Sequence, residues 1–500
     1  MREKRLALNT ISSLILQLTT IICGFILPKL ILEKFGSDVN GLVNSINQFL
    51  QIFAFMDIGV GAVFQSSLYK PLAENDNEEL SKIFKSGQKF FTLLAKMLLI
   101  YVCILILIYP LVINKNFKFG YTTLLIISMS ISSFAQYYLG MSNALFLAAD
   151  QRGYIYYSIQ IVTLILNTVC CYILINLGSS IQLVKLVTSL IYLLRPLVLK
   201  FYVDKNYKIN KKIEYVGEPI KQKWDGLAQH VASVVLDSTD TIVLTVFSTL
   251  SNVSIYSVYF LVISGLKQIF NVTSNGIQSL IGEVYAKSDI NYLKKIFGLT
   301  EWTIHTSAVI IFGASSILIV PFVDVYTKGV LDANYSQPIF AFILVAAYAI
   351  YCIRLPYHIT VKAGVHYRQT KMCYWNAAIL NIIVSIIFVN KLGLIGVAIG
   401  TLVAMLYQTI WLAKYISKHI IIRSFNKFLK QMFVDIIIVF FGFLLTKKYL
   451  IMEYSYLSWC INAIKVVSFW IIISTIINVS FYNQNIRSLY IIYLRVRGKN

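Results

Sequence analysis

Charged residues are scarce in this sequence. They make up only 13% of the chain, about half of their usual share in soluble domains, whereas 58% of the residues are hydrophobic. A soluble chain of 500 residues would divide into several domains, each of which needs a polar surface. Because too few polar residues are present to cover such surfaces, a soluble protein is excluded. Lipid must be the solvent for most of the chain.

Cysteine and histidine are also scarce, and their positions exclude several kinds of site. All seven cysteines lie within apolar segments, and none belongs to a CxxC pair, so we expect free thiols. Three of the five histidines, His358, His366 and His419, have no companions at the spacing of metal ligands. The sequence therefore predicts no metal site, and it contains no recognisable set of catalytic residues.

The sequence is rich in long apolar segments. About 20 apolar residues in a helix cross a hydrocarbon core about 30 Å thick. We predict spans at 6–32, 39–69, 88–113, 120–148, 154–176, 181–203, 225–249, 252–282, 297–323, 337–361, 372–390, 393–415, 431–449 and 457–480. The alternation typical of membrane barrel strands is absent. The fold class predicted is an all-α integral membrane protein with about 14 transmembrane helices.

Lysine and arginine are distributed unevenly between alternate connections. About 31 lie on the side that contains both termini, and about eight lie on the other side. Such a bias is typical of cytoplasmic loops, so both termini are predicted to be cytoplasmic. The bias also accounts for most of the net charge of +22. Nucleic acid is not expected as a partner, because the chain has no soluble module with a basic patch.

Two polar segments of twelve residues are nearly the same. Residues 73–84 read AENDNEELSKIF and residues 286–297 read AKSDINYLKKIF, with six identical positions, which indicates an internal repeat. Asp76 and Asp289 occupy the N-cap position, and apolar residues follow on one helix face. We predict that each segment forms a short amphipathic helix at the membrane surface.

Other landmarks recur at nearly the same offset, which extends the repeat. We predict a six-helix bundle at 1–210, a second copy at 211–420, and a third part at 421–500 with an interfacial segment and two additional transmembrane helices. The basic stretch 414–431 is predicted to be one interfacial helix. Because six is even, both bundles are parallel copies in the membrane. Repeats of this kind are typical of secondary transporters, whose substrate route lies between the halves.

Three segments give the chain a family resemblance. They are FGSDVNGLVNSINQFLQIFAFMDIGVGAVF at 35–64, LFLAADQRGYI at 145–155 and LDSTDTIVLTVFSTLSNVSIYSV at 236–258. In this order and at these offsets, they resemble the multidrug/oligosaccharidyl-lipid/polysaccharide exporter superfamily. Within it, the chain resembles the polysaccharide transporter branch, which includes the Wzx-type O-antigen and capsule flippases. In the third segment Ser254 stands where the family usually has glycine.

The resemblance implies a transporter, not an enzyme. Its substrate would be an undecaprenyl-pyrophosphate-linked oligosaccharide, flipped by alternating access across the bacterial cytoplasmic (inner) membrane for O-antigen, capsule or exopolysaccharide synthesis. The partners implied are membrane lipid and, in addition, polysaccharide polymerase and chain-length proteins. No cofactor is implied beyond coupling to H⁺ or Na⁺.

Charged residues within predicted spans are costly, so each one needs a reason. Lys267 and Arg354 lie in the middle of their spans, where two cations facing a cavity would attract a pyrophosphate. Alternatively, each of them pairs with a carboxylate and stabilises its bundle. Lys96 is a third candidate for substrate binding, although it lies close enough to the cytoplasmic edge for its amine to reach water.

Acidic residues in the spans are candidates for ion coupling. Asp237 and Asp240 share a helix face and could bind H⁺ or Na⁺, or Asp240 could simply pair with a cation. Glu301 and His305 are also one turn apart and could relay protons, unless Glu301 is solvated near the cytoplasmic end. Asp57, Gly59 and Gly61 form the segment DIGVG, where glycine permits close helix contact.

Two other transporters have sequences of this general kind. A lipid II flippase also combines fourteen helices with a cationic cavity, whereas a multidrug-type antiporter of organic cations favours an acidic one. The embedded cations therefore favour an anionic substrate. A membrane glycosyltransferase or polymerase is disfavoured, because the predicted outer connections are too short to contain its active site.

Overall fold

The computed structural model describes residues 2–53, 55–113, 117–210, 213–214, 238–286, 290–450 and 455–496. In these ranges all regular secondary structure is helical, and twelve helices are long and apolar enough to cross a membrane. Many large apolar side chains are exposed on them, which a soluble protein would not tolerate. The chain is therefore a multi-pass, all-α membrane protein, as its composition predicts.

The chain forms two compact units, Met1–Ser254 and Ile255–Asn500. The first unit contains α1 (Arg2–Phe53), α2 (Phe55–Glu74), α3 (Asn77–Ile108), α4 (Phe119–Ala135), α5 (Met141–Ala149), α6 (Gly153–Asn176), α7 (Ile181–Asn206) and α8 (Ser238–Phe247). The second contains most of α9 (Leu250–Ala286), then α10 (Ile290–Tyr326), α11 (Pro338–Ala363), α12 (Tyr367–Leu392), α13 (Leu394–His419), α14 (Asn426–Thr446) and α15 (Tyr456–Val496). The predicted duplication at 1–210 and 211–420 stays a prediction.

The predicted breaks between spans agree well with the helix ends. The first and second predicted spans are separated within α1 by a kink at Gly36, whose φ of 81° favours glycine. The second predicted span continues into α2. Most of the predicted span at 225–249 lies outside the described residues, and only α8 represents it.

In the first unit, α1 packs against α6, α4 against α7, and α2 against both α3 and α5. Its core consists of large apolar side chains from successive helices, among them Phe64, Phe91 and Phe146. Close packing is greatest at Gly41, where an added Cβ would lie 1.9 Å from the carbonyl oxygen of Leu250. A side chain at position 41 would therefore force these backbones apart.

In the second unit, the two C-terminal helices are built into the core. Trp470 of α15 is fully buried, and an added Cβ at Gly313 of α10 or Gly442 of α14 would meet its ring at 2.0 or 2.8 Å. At one end of α10, Trp302 donates a hydrogen bond to Asn478 Oδ1 (2.6 Å). Helices α14 and α15 are thus part of the packed unit, whereas the sequence indicated only an addition to it.

Two predicted surface helices are wrong. Asp76 does cap a helix, since its carboxylate accepts hydrogen bonds from the backbone of Glu78 and Glu79 (3.0 Å each). That helix is α3 itself, however, and the apolar residues after the cap are buried in protein. Asp289 lies outside the described residues. The stretch 414–431 comprises the end of α13, a short connection and the start of α14.

Candidate functional site

Lys267 and Arg354, the two cations predicted in mid-span, meet at one tyrosine ring. Lys267 Nζ of α9 lies 4.2 Å from the centroid of the Tyr351 ring, and Arg354 Cζ lies 4.7 Å from it. The Tyr351 hydroxyl donates a hydrogen bond to Asn271 Oδ1 (3.2 Å), one turn along α9 from Lys267. An aromatic face attracts cations through its negative quadrupole, so the ring stabilises both side chains at once.

Arg354 is held without a carboxylate in the part of the chain that the structure describes. Its side chain forms no ion pair or hydrogen bond there, and its Nε is a buried donor with no partner. Only 6% of the residue is exposed. Burying a guanidinium in this way is costly unless another group completes its hydrogen bonds. The sequence left two hypotheses open for Arg354, substrate binding and pairing with a carboxylate. The described contacts of Arg354 do not support the pairing.

A stripe of basic side chains continues from Arg354 along α11. Arg354, His358 and Lys362 follow at intervals of four residues, so they lie on one side of the helix. The stripe leads from the middle of α11 to the end that is predicted to face the cytoplasm. The spacing of His358 from Arg354 and Lys362 was the available signal in the sequence, where His358 was considered only as a metal ligand.

Lys96 lines a basic cavity in the first unit. The cavity has a volume of about 530 Å³. Its lining includes the four lysines Lys85, Lys89, Lys96 and Lys200, together with Gln88, Thr92 and Tyr138. No acidic residue of the described chain is among its lining residues. Several ammonium groups around one space repel each other, which favours an anion there.

Glu301 is buried in an ion pair that the sequence did not indicate. It is 5% exposed, so it is not solvated as one hypothesis held. Both of its oxygens accept hydrogen bonds from Arg423 in the connection between α13 and α14. Burial lowers the pKa of the Arg423 guanidinium, but the hydrogen bonds to Glu301 and the nearby negative charge together raise it by more, so that pKa is above its ordinary value. Tyr357 Oη donates a third hydrogen bond to Glu301 (2.6 Å).

His305 extends this cluster by one helical turn. Its Nε2 lies 3.2 Å from Tyr357 Oη, and its Nδ1 lies 2.6 Å from Asp435 Oδ2 on α14. The other oxygen of Asp435 accepts a hydrogen bond from Gln431 (3.1 Å). His305 is fully buried and Asp435 is 3% exposed. The structure thus joins residues of α10, α11 and α14 in a continuous polar chain.

The other predicted site residues are not part of these clusters. Asp240 is 2% exposed and has a partner of its own, but Asp237 lies outside the described residues, so their pairing stays a prediction. The side chain of Asp57 and the surroundings of Gly59 are likewise outside what the structure describes. At Gly61 an added Cβ would lie 3.4 Å from the Leu145 side chain, an ordinary contact, so glycine is not required there.

Several residues of the clusters were missed by sequence reasoning. Arg423 and Gln431 are unremarkable in sequence, because a polar side chain at or beyond the end of a span is usually solvated. Tyr357 lies within a span but is one of 33 tyrosines in the chain. The spacing of Glu301 and His305 was the one signal that pointed toward them. Among the described residues, no group of three or more histidines, cysteines and acids is arranged to hold a metal ion.

Comparison with solved structures identifies the fold. A lipid II flippase, MurJ, in an inward closed conformation superposes with a TM-score of 0.68 and 16% identity, over 96% of this chain and 100% of that one. A multidrug resistance MATE transporter of the MOP superfamily, in an inward-facing conformation, gives 0.63 and 13% over 80% and 95%. The eukaryotic MATE transporter AtDTX14 gives 0.55 and 13% over 86% and 98%.

Comparisons at the level of sequence identify no relative. No family model matches the chain, and no curated protein matches it either. The chain therefore has the fold of these solved transporters, and its membership of their superfamily stays a prediction. Its place in the polysaccharide transporter branch stays a prediction.

Proposed function

We propose that this protein flips an undecaprenyl-pyrophosphate-linked oligosaccharide to the outer leaflet of a bacterial cytoplasmic membrane, with both of its termini in the cytoplasm. The observation that carries the proposal is the buried Arg354, which shares the Tyr351 ring with Lys267. A pyrophosphate supplies the oxygens that a guanidinium binds in pairs. The transport itself would be non-enzymatic, because the substrate leaves chemically unchanged.

The basic cavity of the first unit supports the same class of substrate. Its lysines, Lys96 among them, would attract a phosphate-bearing headgroup from the cytoplasmic leaflet. On α11, the stripe through His358 and Lys362 would attract it toward Arg354. An organic cation would be repelled by both sets of residues, which argues against a multidrug-type antiporter.

A lipid II flippase is the second candidate, and one observation favours it. The MurJ structure matches the full length of its own chain and nearly all of this one. Lipid II carries the same polyprenyl pyrophosphate, so Arg354 and Lys267 suit either substrate. The sugar portion must distinguish the two candidates.

Complementation of two bacterial strains tests the proposal. A strain without its O-antigen or capsule flippase should regain surface polysaccharide when it expresses this protein, and a strain depleted of its lipid II flippase should not regain growth. The opposite result would favour the second candidate. Failure in both strains, with normal amounts of the protein in the membrane, would contradict the proposal.

A further inference from the structure

The polar chain from Glu301 to Asp435 contains more contacts than the tyrosine, a neutral histidine and two ionised carboxylates can supply with hydrogens. Three contacts each need a hydrogen between two heavy atoms: Tyr357 to Glu301, His305 to Tyr357, and His305 to Asp435. Both carboxylate oxygens of Glu301 already accept hydrogen bonds from Arg423. Tyr357 has one hydroxyl hydrogen, and a neutral imidazole has one N–H. The third hydrogen must be an additional proton.

That proton also balances the buried charge. Arg423 neutralises Glu301, so an ionised Asp435 would be left with a neutral histidine if the proton were absent. An unpaired carboxylate that is only 3% exposed is strongly disfavoured. With the proton shared between His305 and Asp435, the cluster consists of two neutral pairs. Loss of the proton therefore requires Asp435, and α14 with it, to move or to become hydrated.

We propose that His305 and Asp435 form a proton-binding site whose occupancy is linked to the position of the C-terminal helices. When the proton leaves, the Tyr357 hydroxyl can turn from Glu301 and donate to His305 Nε2, which then lacks its hydrogen. Loss of the proton thus removes the hydrogen bond from Tyr357 to Glu301 and alters the ion pair of Glu301 with Arg423. Coupling of this proton to transport rests on the proposed function, whereas proton binding does not.

The surroundings of His305 favour a proton over a sodium ion. Sodium, like other hard cations, is bound by several oxygen ligands, whereas here an imidazole nitrogen faces the carboxylate of Asp435. Both oxygens of Glu301 are occupied by Arg423, whose positive charge repels a second cation. From α15, Tyr482 faces the same cluster and lies against Lys430 (5.2 Å from Nζ to the ring centroid).

Histidine nitrogen spectra of the protein in bilayers test proton binding directly. In ¹⁵N-labelled protein, the signal of His305 is identified as the one that is lost in His305→Gln. We expect this signal to be that of an imidazolium at neutral pH. It should lose a proton at lower pH when Asp435→Asn removes the counter-charge. His366→Gln provides the control, because the Nδ1 of His366 shares a hydrogen bond with the hydroxyl of Tyr415 (2.8 Å). A His305 signal that stays neutral from pH 5 to pH 8 would overturn the proposal.

Transport by proteoliposomes tests coupling with a fluorescent polyprenyl-pyrophosphate oligosaccharide. One coupled proton permits up to about a tenfold change in the distribution of the lipid per pH unit. We expect this bias in the wild type and in His366→Gln, and its loss in Tyr357→Phe and Asp435→Asn, which should still equilibrate the lipid. Transport by the wild type without a bias would overturn the inference and leave the proposed function intact. If the wild type moves no lipid, the proposed function fails and the histidine spectra decide on proton binding.

Discussion

At the scale of single residues, a buried cation such as Arg354 can be distinguished from an exposed cation in a predicted span. Arg354→Gln should lower export by about tenfold or more, since charge-assisted hydrogen bonds contribute about 1.5–3 kcal/mol. Lys465→Gln on α15 is the matched control, because Lys465 also lies in a predicted span but is exposed. Surface polysaccharide, scaled to the amount of protein in the membrane, is the measurement. Equal export by both variants would contradict the role of Arg354.

The Tyr351 ring leads to a second prediction. Tyr351→Phe keeps the face that Lys267 and Arg354 share and removes the hydroxyl that donates to Asn271. We therefore expect it to retain most of the export. Tyr351→Leu leaves two cations close together without the ring and should lose about tenfold, because cation–π contacts contribute up to about 2 kcal/mol each when desolvated. Export that depends on the hydroxyl instead of the ring would refute this account.

Residue types and spacing were sufficient to select Lys267, Arg354 and Glu301 as exceptional, because charge in an apolar span is rare and costly. They were not sufficient to select partners. Arg423 is 122 positions from Glu301, and Asp435 is 130 positions from His305. Such contacts depend on which helices pack together, and the local pattern of a span contains no information about that.

At the scale of helices, the packing of α15 depends on two glycines. Gly313→Ala would place a Cβ 2.0 Å from the Trp470 ring, so we expect a loss of stability of about 1–3 kcal/mol. Gly298→Ala lies on the same helix with nothing within 4 Å of its added Cβ, and it should be neutral or slightly stabilising. Thermal unfolding of both variants in detergent is the measurement.

A smaller residue at position 470 should rescue the first variant. Trp470→Leu removes the ring atoms that the new Cβ would meet, so the double variant with Gly313→Ala should be less destabilised than the two single effects added together. Strict additivity would indicate that Trp470 and Gly313 do not share one packing contact.

At the scale of the whole molecule, the C-terminal helices are predicted to be necessary for folding. Truncation after residue 425 would expose the surface of α10 around Gly313, against which Trp470 packs, and would leave His305 without Asp435. We expect the shortened protein to aggregate or to be degraded, whereas truncation after Val496 should be tolerated. Size-exclusion profiles of fluorescent fusions, together with membrane yields, provide the measurement. A monodisperse shortened protein would show that α14 and α15 are dispensable.

The sequence by itself determined the solvent, the helical class and the breaks between most spans. These properties follow from local composition. Lipid requires every backbone polar group to be satisfied within its own helix, so a sufficiently long apolar run predicts a membrane-spanning helix. The kink at Gly36 lies in the gap between the first two predicted spans.

Only the tertiary structure decided which charges meet. It brought Lys267 and Arg354 together at the ring of Tyr351. It also showed that Asp435, on one of the two additional helices, contacts His305 in the core of the unit. It also converted two predicted surface helices into parts of α3, α13 and α14. The physical reason is that the cost of burying a charge is a property of the surroundings, and helices distant in the chain supply those surroundings.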